Sequence, residues 1–326
     1  MKTALETQDA QFRPINLEFL SGSGKETFDI YYKTESFGTA RFVKFASSDP
    51  AHQDKFRELL ASGESQEEFF IREEDVVKYY GRATRSLRKM VADPQIPLKK
   101  KTEKIYEVSK EIMKEFFQRN ASTKILRSSE EVISLMENCL SQTEANFYGI
   151  AQITNKDYYT YTHSVNVGLY CMTFGVKTKM GQEDVQQLGM GGMLHDVGKS
   201  KIPLKILNKN GRLTDGEFKV IQEHTSLGVE ILNGMGCYGF KVIQMAKEHH
   251  EKFKGGGYPD GLAEEEISLF GRVCKLMDVY DALTTRRPYK KALGPFDALK
   301  IMNDNMQSEF DPRLMKDFIR LMGPDL

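Results

Sequence analysis

The sequence predicts an α+β chain of two domains, a small mixed α/β domain followed by an all-helical one. Three observations carry this. Short β-branched and aromatic segments bounded by Gly, Ser and Asp lie near the N-terminus, and helical apolar periods dominate further on. Five of the six histidines fall beside aspartates between residues 163 and 281. A length of 326 residues is enough for two cores. The expected division is 1–95 as a regulatory or interaction domain, 96–148 as connecting helices and 149–326 as the helical domain.

In the first domain, Phe28 to Thr34 and Arg41 to Ala46 read as strands and Phe69 to Arg72 as a third. A helix is expected after Pro50, burying Phe56, Leu59 and Leu60. Another starts near Asp75, where Val76, Tyr80, Ala83, Leu87 and Met90 keep a helical period until Pro94. The stretch SGSGKET (21–27) resembles a phosphate-binding loop but fails its pattern. Phe19 occupies the place of the first glycine, and Glu26 follows Lys25 where a Ser or Thr is needed, so it reads as a turn.

Pro94, Pro97 and the run Lys99 to Lys101 mark a boundary. Ile105, Val108, Ile112 and Phe116 describe one amphipathic helix. After a capping-box pattern Ser128-x-x-Glu131, the row Val132, Met136, Cys139 and Thr143 describes a second. These helices suit signal transmission or a homodimer contact, and equally suit plain packing on the C-terminal domain.

The 46 basic and 46 acidic residues balance. A general nucleic-acid binder normally carries a basic excess, so that class is set aside. Cys139, Cys171, Cys237 and Cys274 are widely spaced within apolar helical segments and read as reduced core residues. The start MKTALETQDAQ does not read as a secretory signal. No run approaches the ~18 apolar residues of a membrane helix, so a cytoplasmic, membrane-free protein is expected.

The histidines and aspartates point inward by period. His163 shares a face with Val167, Tyr170 and Phe174. His195 follows Leu188, Gly191 and Gly192. His224 lies between Ile221 and Gly228, in a helix opened by the capping box Thr214-x-x-Glu217. His249 continues Val242 and Met245, His250 continues Ile243 and Ala246, and Asp278 continues Gly271 and Cys274. A lone histidine on such a face is ordinarily a satisfied core residue. Five together with carboxylates are different, because each unpartnered polar or charged group in a core costs several kcal/mol, on the order of a domain's whole stability. Metal coordination supplies the partners. Nitrogen and carboxylate donors suit iron, manganese, zinc or nickel rather than a thiolate-bound structural zinc. Two divalent ions would bring about four positive charges against roughly two from Asp196 and Asp278, leaving an excess for anionic ligands such as a hydroxide and a phosphodiester.

The strings DYYTYTHS (157–164), LHDVGKSKIP (194–203), LTDGEFKVIQEHTSLGVEIL (213–232), HHEKFKGGGYPDGL (249–262), DVYDALTTRRPYKKA (278–292) and FDPRL (310–314) resemble, in order, the HD-GYP domain, a bacterial signalling branch of the HD phosphohydrolases. The resemblance implies a helical cyclic di-GMP phosphodiesterase with a binuclear centre and a bridging hydroxide, giving pGpG and then GMP. It assigns one ion to His163, His195, Asp196 and Asp278, and a second to Asp196, His224, His249 and His250. Asp196 and Lys199 become the catalytic pair, with Lys199, Asp281, Arg287 and Lys290 meeting substrate. Gly257, Tyr258 and Pro259 form the GYP loop, a lid or a docking element for a protein partner. Iron is preferred over manganese.

Two departures stand out. Lys254 replaces the aspartate of the usual HHExxDGxGYP loop. This opens the alternative of a weak or inactive signalling scaffold; a phosphodiesterase for another cyclic dinucleotide is a further alternative. Tyr159 stands where some members carry a glutamate ligand, so two metals are expected rather than three.

Overall fold

A computed structural model describes residues 11–20, 28–36, 39–46, 68–119, 123–142, 150, 154, 160–236, 238–286 and 291–323. The helix expected after Pro50, the 21–27 turn, Thr143, Tyr159, Cys237, Arg287 and Lys290 lie outside the described residues. Contacts divide the chain into two compact units, residues 1–104 with 124–131, and residues 105–123 with 132–326.

The first unit holds a four-stranded antiparallel sheet in the order β1-β4-β2-β3, formed by Phe12–Ile15 (β1), Ile30–Ser36 (β2), Thr39–Ala46 (β3) and Phe69–Arg72 (β4). The strand β4 has the predicted bounds. β2 starts two residues later than expected, where its pairing with β3 slips between Ile30 and Tyr31. Strand β1 escaped the sequence reading. It is four residues long and contains Pro14, which lacks a backbone donor; as an edge strand paired only with β4 it tolerates that loss. Helix α1 (Val76–Ala92) buries Val76, Tyr80, Ala83 and Leu87. It ends as Asp93 turns extended ahead of Pro94.

Helices α2 (Leu98–Arg119) and α3 (Thr123–Ser141) each contribute residues to both units. The pattern at Ser128 does not start α3: that helix already runs through Ser128, which is buried. Ile125, one heptad before Val132, is also buried, so tertiary burial extends the apolar face upstream of the local capping signal.

The second unit continues with α4 (Thr160–Lys177), α5 (Gln182–Leu194), a 3-10 turn Val197–Lys201, α6 (Leu204–Leu207), α7 (Asp215–Gln222) and α8 (His224–Met235). It closes with α9 (Phe240–Glu248), α10 (Leu269–Thr284), α11 (Pro295–Asn305) and α12 (Pro312–Met322). Thr214 and Glu217 form the expected capping box on α7. The helix predicted to carry His224 breaks at Glu223, so His224 opens α8 instead. Val167, Tyr170, Phe174, Met245, Met277 and Phe318 belong to one buried cluster that holds α4, α9, α10 and α12 together. Backbones approach closely where α5 crosses α4: a Cβ on Gly192 would lie 2.7 Å from the Gly168 Cα. Cys139, Cys171 and Cys274 are buried and in no disulfide, as expected of core thiols.

Candidate metal centre

The site is assembled from helix ends. His163 is in the first turns of α4, His195 directly follows α5, His224 begins α8, and His249 and His250 directly follow α9. Carbonyls in the last turn of a helix lack intrahelical partners. Three of these histidines use them. The Nδ1 of His195 lies 2.7 Å from the Gly192 carbonyl, that of His224 2.6 Å from Ile221, and that of His249 3.0 Å from Met245 and 3.1 Å from Ala246. A carbonyl only accepts, so Nδ1 carries the proton and Nε2 keeps a lone pair. His163 directs its Nδ1 at a carboxylate instead, 2.7 Å from Asp281 Oδ2, which turns Nε2 towards the cluster.

The Nε2 atoms converge on Asp196, which divides them between its two oxygens. Oδ2 lies 3.8 Å from His163 and 3.4 Å from His195; Oδ1 lies 3.4 Å from His224 and 3.7 Å from His249. The Nε2 atoms of His224 and His249 are 3.2 Å apart. Two groups result, His163 with His195 and Asp196, and Asp196 with His224, His249 and His250, each offering donor atoms within 4.8 Å of one another. Asp278 Oδ1 stands 3.2 Å from His163 Nε2, beside the first group.

These spacings fit cations. Donors about 2.1 Å from one ion and roughly 100–130° apart are separated by about 3.2–3.8 Å. His195 Nε2 and Asp196 Oδ1 are buried without a hydrogen-bond partner, an arrangement that costs about 1–3 kcal/mol per atom unless a ligand engages them.

The electrostatics separate the two groups. Burial drives the His224 ring down to about 3, and also lowers His249 and His250, leaving these three neutral. Burial opposes charge on His163 too, but hydrogen bonds to Asp278 and Asp281 outweigh it and raise that ring to about 9. For Asp196 burial favours the neutral acid. The Lys199 ammonium, 2.5 Å away, and the His195 ring outweigh it and hold the carboxyl well below the usual carboxylate range. Asp278 is likewise held low, its burial outweighed by His163.

Other expected residues are placed differently. Asp281, expected to meet substrate, is fully buried, with Oδ1 accepting from Asn166 (2.8 Å) and Thr285 (3.0 Å) and Oδ2 facing His163. In the GYP loop, the Tyr258 ring stacks on His250 at 4.7 Å between centroids and 22° between planes. A Cβ on Gly257 would meet the Glu251 Cα at 2.5 Å. The Lys254 side chain is 57% exposed and pairs with Glu264 at 2.6 Å.

Three buried residues escaped the sequence reading. Glu251 accepts the N–H groups of Asp260 (2.7 Å) and Gly261 (3.0 Å) and so ties down the loop; its place next to the histidine pair was a usable signal. Asn166, three residues after His163 and therefore on its face, was also findable. Tyr106, which donates to Asn166 at 2.6 Å from 60 residues upstream, was not.

Fold and site together define a helical domain built around a buried histidine–aspartate cluster. A family model described as HD domain matches residues 134–314, more than half of the chain. The chain is 37% identical over 174 residues to a cyclic di-GMP phosphodiesterase (PA4108) of Pseudomonas aeruginosa, covering 53% of this chain and 42% of that one. It is 36% identical over 158 residues to a 3'3'-cGAMP-specific phosphodiesterase 3 of Vibrio cholerae, covering 48% and 34%. It thus spans less than half the length of either relative. The solved structure of Bd1817, an HDG"Y"P protein from Bdellovibrio bacteriovorus, shares the fold with a TM-score of 0.66 at 15% identity, covering 95% of this chain and 99% of that one. The chain belongs to the HD domain family, as an HD-GYP domain protein.

Among the described residues no helix is long and apolar enough to cross a membrane.

Proposed function

We propose that this chain is a metal-dependent phosphodiesterase that opens a cyclic dinucleotide, cyclic di-GMP in the first place, to linear pGpG and onward to GMP. The observation that carries the reading is the Asp196 carboxylate, whose two oxygens are shared between two groups of imidazole nitrogens. One carboxylate with two oxygens suits two ions, whereas an imidazole offers one nitrogen. The nitrogen and carboxylate donors favour iron, with manganese next. Two such cations would acidify a water and clamp the oxygens of a phosphodiester.

The chain's own residues have separable tasks. The helix-end carbonyls and Asp281 hold the imidazoles with Nε2 inward. Lys199, at the edge of the cluster, offers positive charge to the phosphate or to the leaving oxygen, and Arg287 and Lys290 grip the phosphates. Tyr258, stacked on His250, closes one side against water. Asp281 is assigned to orient His163 rather than to touch substrate. The N-terminal unit serves as a regulatory or interaction module. A homodimer contact through 96–148 and a protein partner at the Tyr258 loop complete the proposal.

The test is product formation from cyclic di-GMP by protein purified without oxygen, with bound metals quantified in the same sample and 3'3'-cGAMP run in parallel. About two metals per chain and pGpG are expected. Turnover of 3'3'-cGAMP alone would reassign the substrate, since relatives named for both activities are similar to this chain. Two metals without any product would move the reading to a signalling scaffold, the outcome Lys254 raises. His195→Ala or Asp196→Ala with full metal content and turnover would overturn the site.

A further inference from the structure

Behind His163 a buried row of hydrogen bonds leaves the cluster and ends on α2, outside residues 134–314 matched by the family model. Tyr106 Oη donates to Asn166 Oδ1 at 2.6 Å, Asn166 Nδ2 donates to Asp281 Oδ1 at 2.8 Å, and His163 Nδ1 donates to Asp281 Oδ2 at 2.7 Å. All four side chains are buried, at 1% exposure or less. The row has a direction. A carboxylate only accepts, so Asn166 must turn its NH2 group towards Asp281, which leaves its carbonyl facing Tyr106. The phenol supplies the donor that this carbonyl needs. A flipped amide would set a carbonyl against the Asp281 carboxylate. Without the Tyr106 hydroxyl, the carbonyl loses this donor and the amide orientation loses a restraint.

We infer that Tyr106 and Asn166 are positioning residues, holding Asp281 and through it the His163 ring in the orientation that presents Nε2 to a cation. The inference rests on the reading of the cluster as a metal centre. Outer partners of ligating histidines set ring orientation and basicity, and losing one typically costs 10- to 100-fold in metal affinity or activity.

The experiment compares full-chain wild type, Tyr106→Phe, Asn166→Leu and the double variant. Each is stripped of metal, titrated with Mn²⁺ while free ion is followed by electron paramagnetic resonance, and melted in parallel. Tyr79→Phe is the control. Tyr79 is buried and its hydroxyl donates to the Asn16 carbonyl at 3.0 Å in the sheet-bearing unit, so it loses a comparable hydroxyl far along the chain from the motifs. Tyr106→Phe is expected to bind one Mn²⁺ about tenfold more weakly and to lower kcat with KM little changed. Tyr79→Phe melts earlier with Mn²⁺ affinity unchanged. Because Tyr106 acts through Asn166, the double variant should bind no more weakly than Asn166→Leu alone. Wild-type affinity in Tyr106→Phe, or effects of the two changes that multiply, would overturn the inference. Should Asn166→Leu fail to fold, Tyr106→Phe decides alone, since it removes a single oxygen. A wild-type chain that takes up no Mn²⁺ would sink the metal-centre reading itself, and with it this inference.

Discussion

One methyl group added at Gly198 would separate two backbones on which the cluster depends. Gly198 lies in the 3-10 turn after Asp196, pressed against the start of α8. A Cβ there would stand 1.9 Å from the His224 carbonyl oxygen and 2.6 Å from the Gly228 nitrogen, both backbone atoms that cannot rotate away. Ordinary contact begins near 3.4 Å, so the backbones at Gly198, two residues after Asp196, and at His224 must part by roughly 1.5 Å. Overpacking of this kind costs about 2 kcal/mol, or roughly 4–8 °C in melting temperature. The effect on the site is larger. Metal ligands must sit within about 0.2 Å of their places, and a 1 Å misplacement costs about 100-fold in rate. Gly198→Ala is therefore expected to lose the ion proposed for Asp196 and His224. Gly228→Ala is the control across the same contact. Its added Cβ would meet Val197 at 3.5 Å, an ordinary distance, and alanine gains up to about 1 kcal/mol of helix propensity. Metal counting and thermal melts on the two variants read both effects. Gly198→Ala with two metals and wild-type melting would refute the packing argument.

Three further outcomes are expected. Tyr258→Ala removes the ring stacked on His250, worth about 0.5–1.5 kcal/mol, and should weaken metal retention by about two- to tenfold on dialysis, while Tyr258→Phe keeps it. Lys254→Asp places a carboxylate opposite Glu264 on an exposed loop; metal content should stay at the wild-type value, and a loss of metal would show that the loop charge reaches the cluster. Glu217 is held down to about 2 from an ordinary 4.5, first by its hydrogen bond to Lys209 and then by the Thr214 backbone N–H. A depressed carboxylate stabilises the fold above its unfolded pKa and loses that contribution as pH falls through the folded value. Glu217→Gln should therefore flatten part of the acid destabilisation between pH 4.5 and 2, measured by urea melts; an unchanged pH slope would contradict the assignment.

Local chemistry was legible wherever one segment carried its own signal. Thr214 and Glu217 are three residues apart and cap α7 by contacts within that turn. Phe69–Arg72 was readable from its aromatic and β-branched residues and the α1 face from its helical period. The same kind of signal misled at Ser128, where burial of Ile125 on the folded unit outweighs a local cap. It misled again at Glu223, where the helix breaks between two segments with one continuous pattern.

The candidate site divides along that line. The pattern along the chain was enough to tell which residue types lie in register on inward faces, and so which imidazoles and carboxylates were available to meet. Direction follows from the 3.6-residue period, which needs no partner. How they meet depended on packing between distant segments: Asp196 turns one oxygen to each histidine group, helix-end carbonyls orient the rings of His195, His224 and His249, and Asp281 is enclosed by His163, Asn166 and Thr285 rather than facing outward. Tyr106 marks the limit most clearly. Its hydroxyl reaches Asn166 across 60 residues of chain, a pairing set by how α2 packs and invisible to any pattern read along one helix.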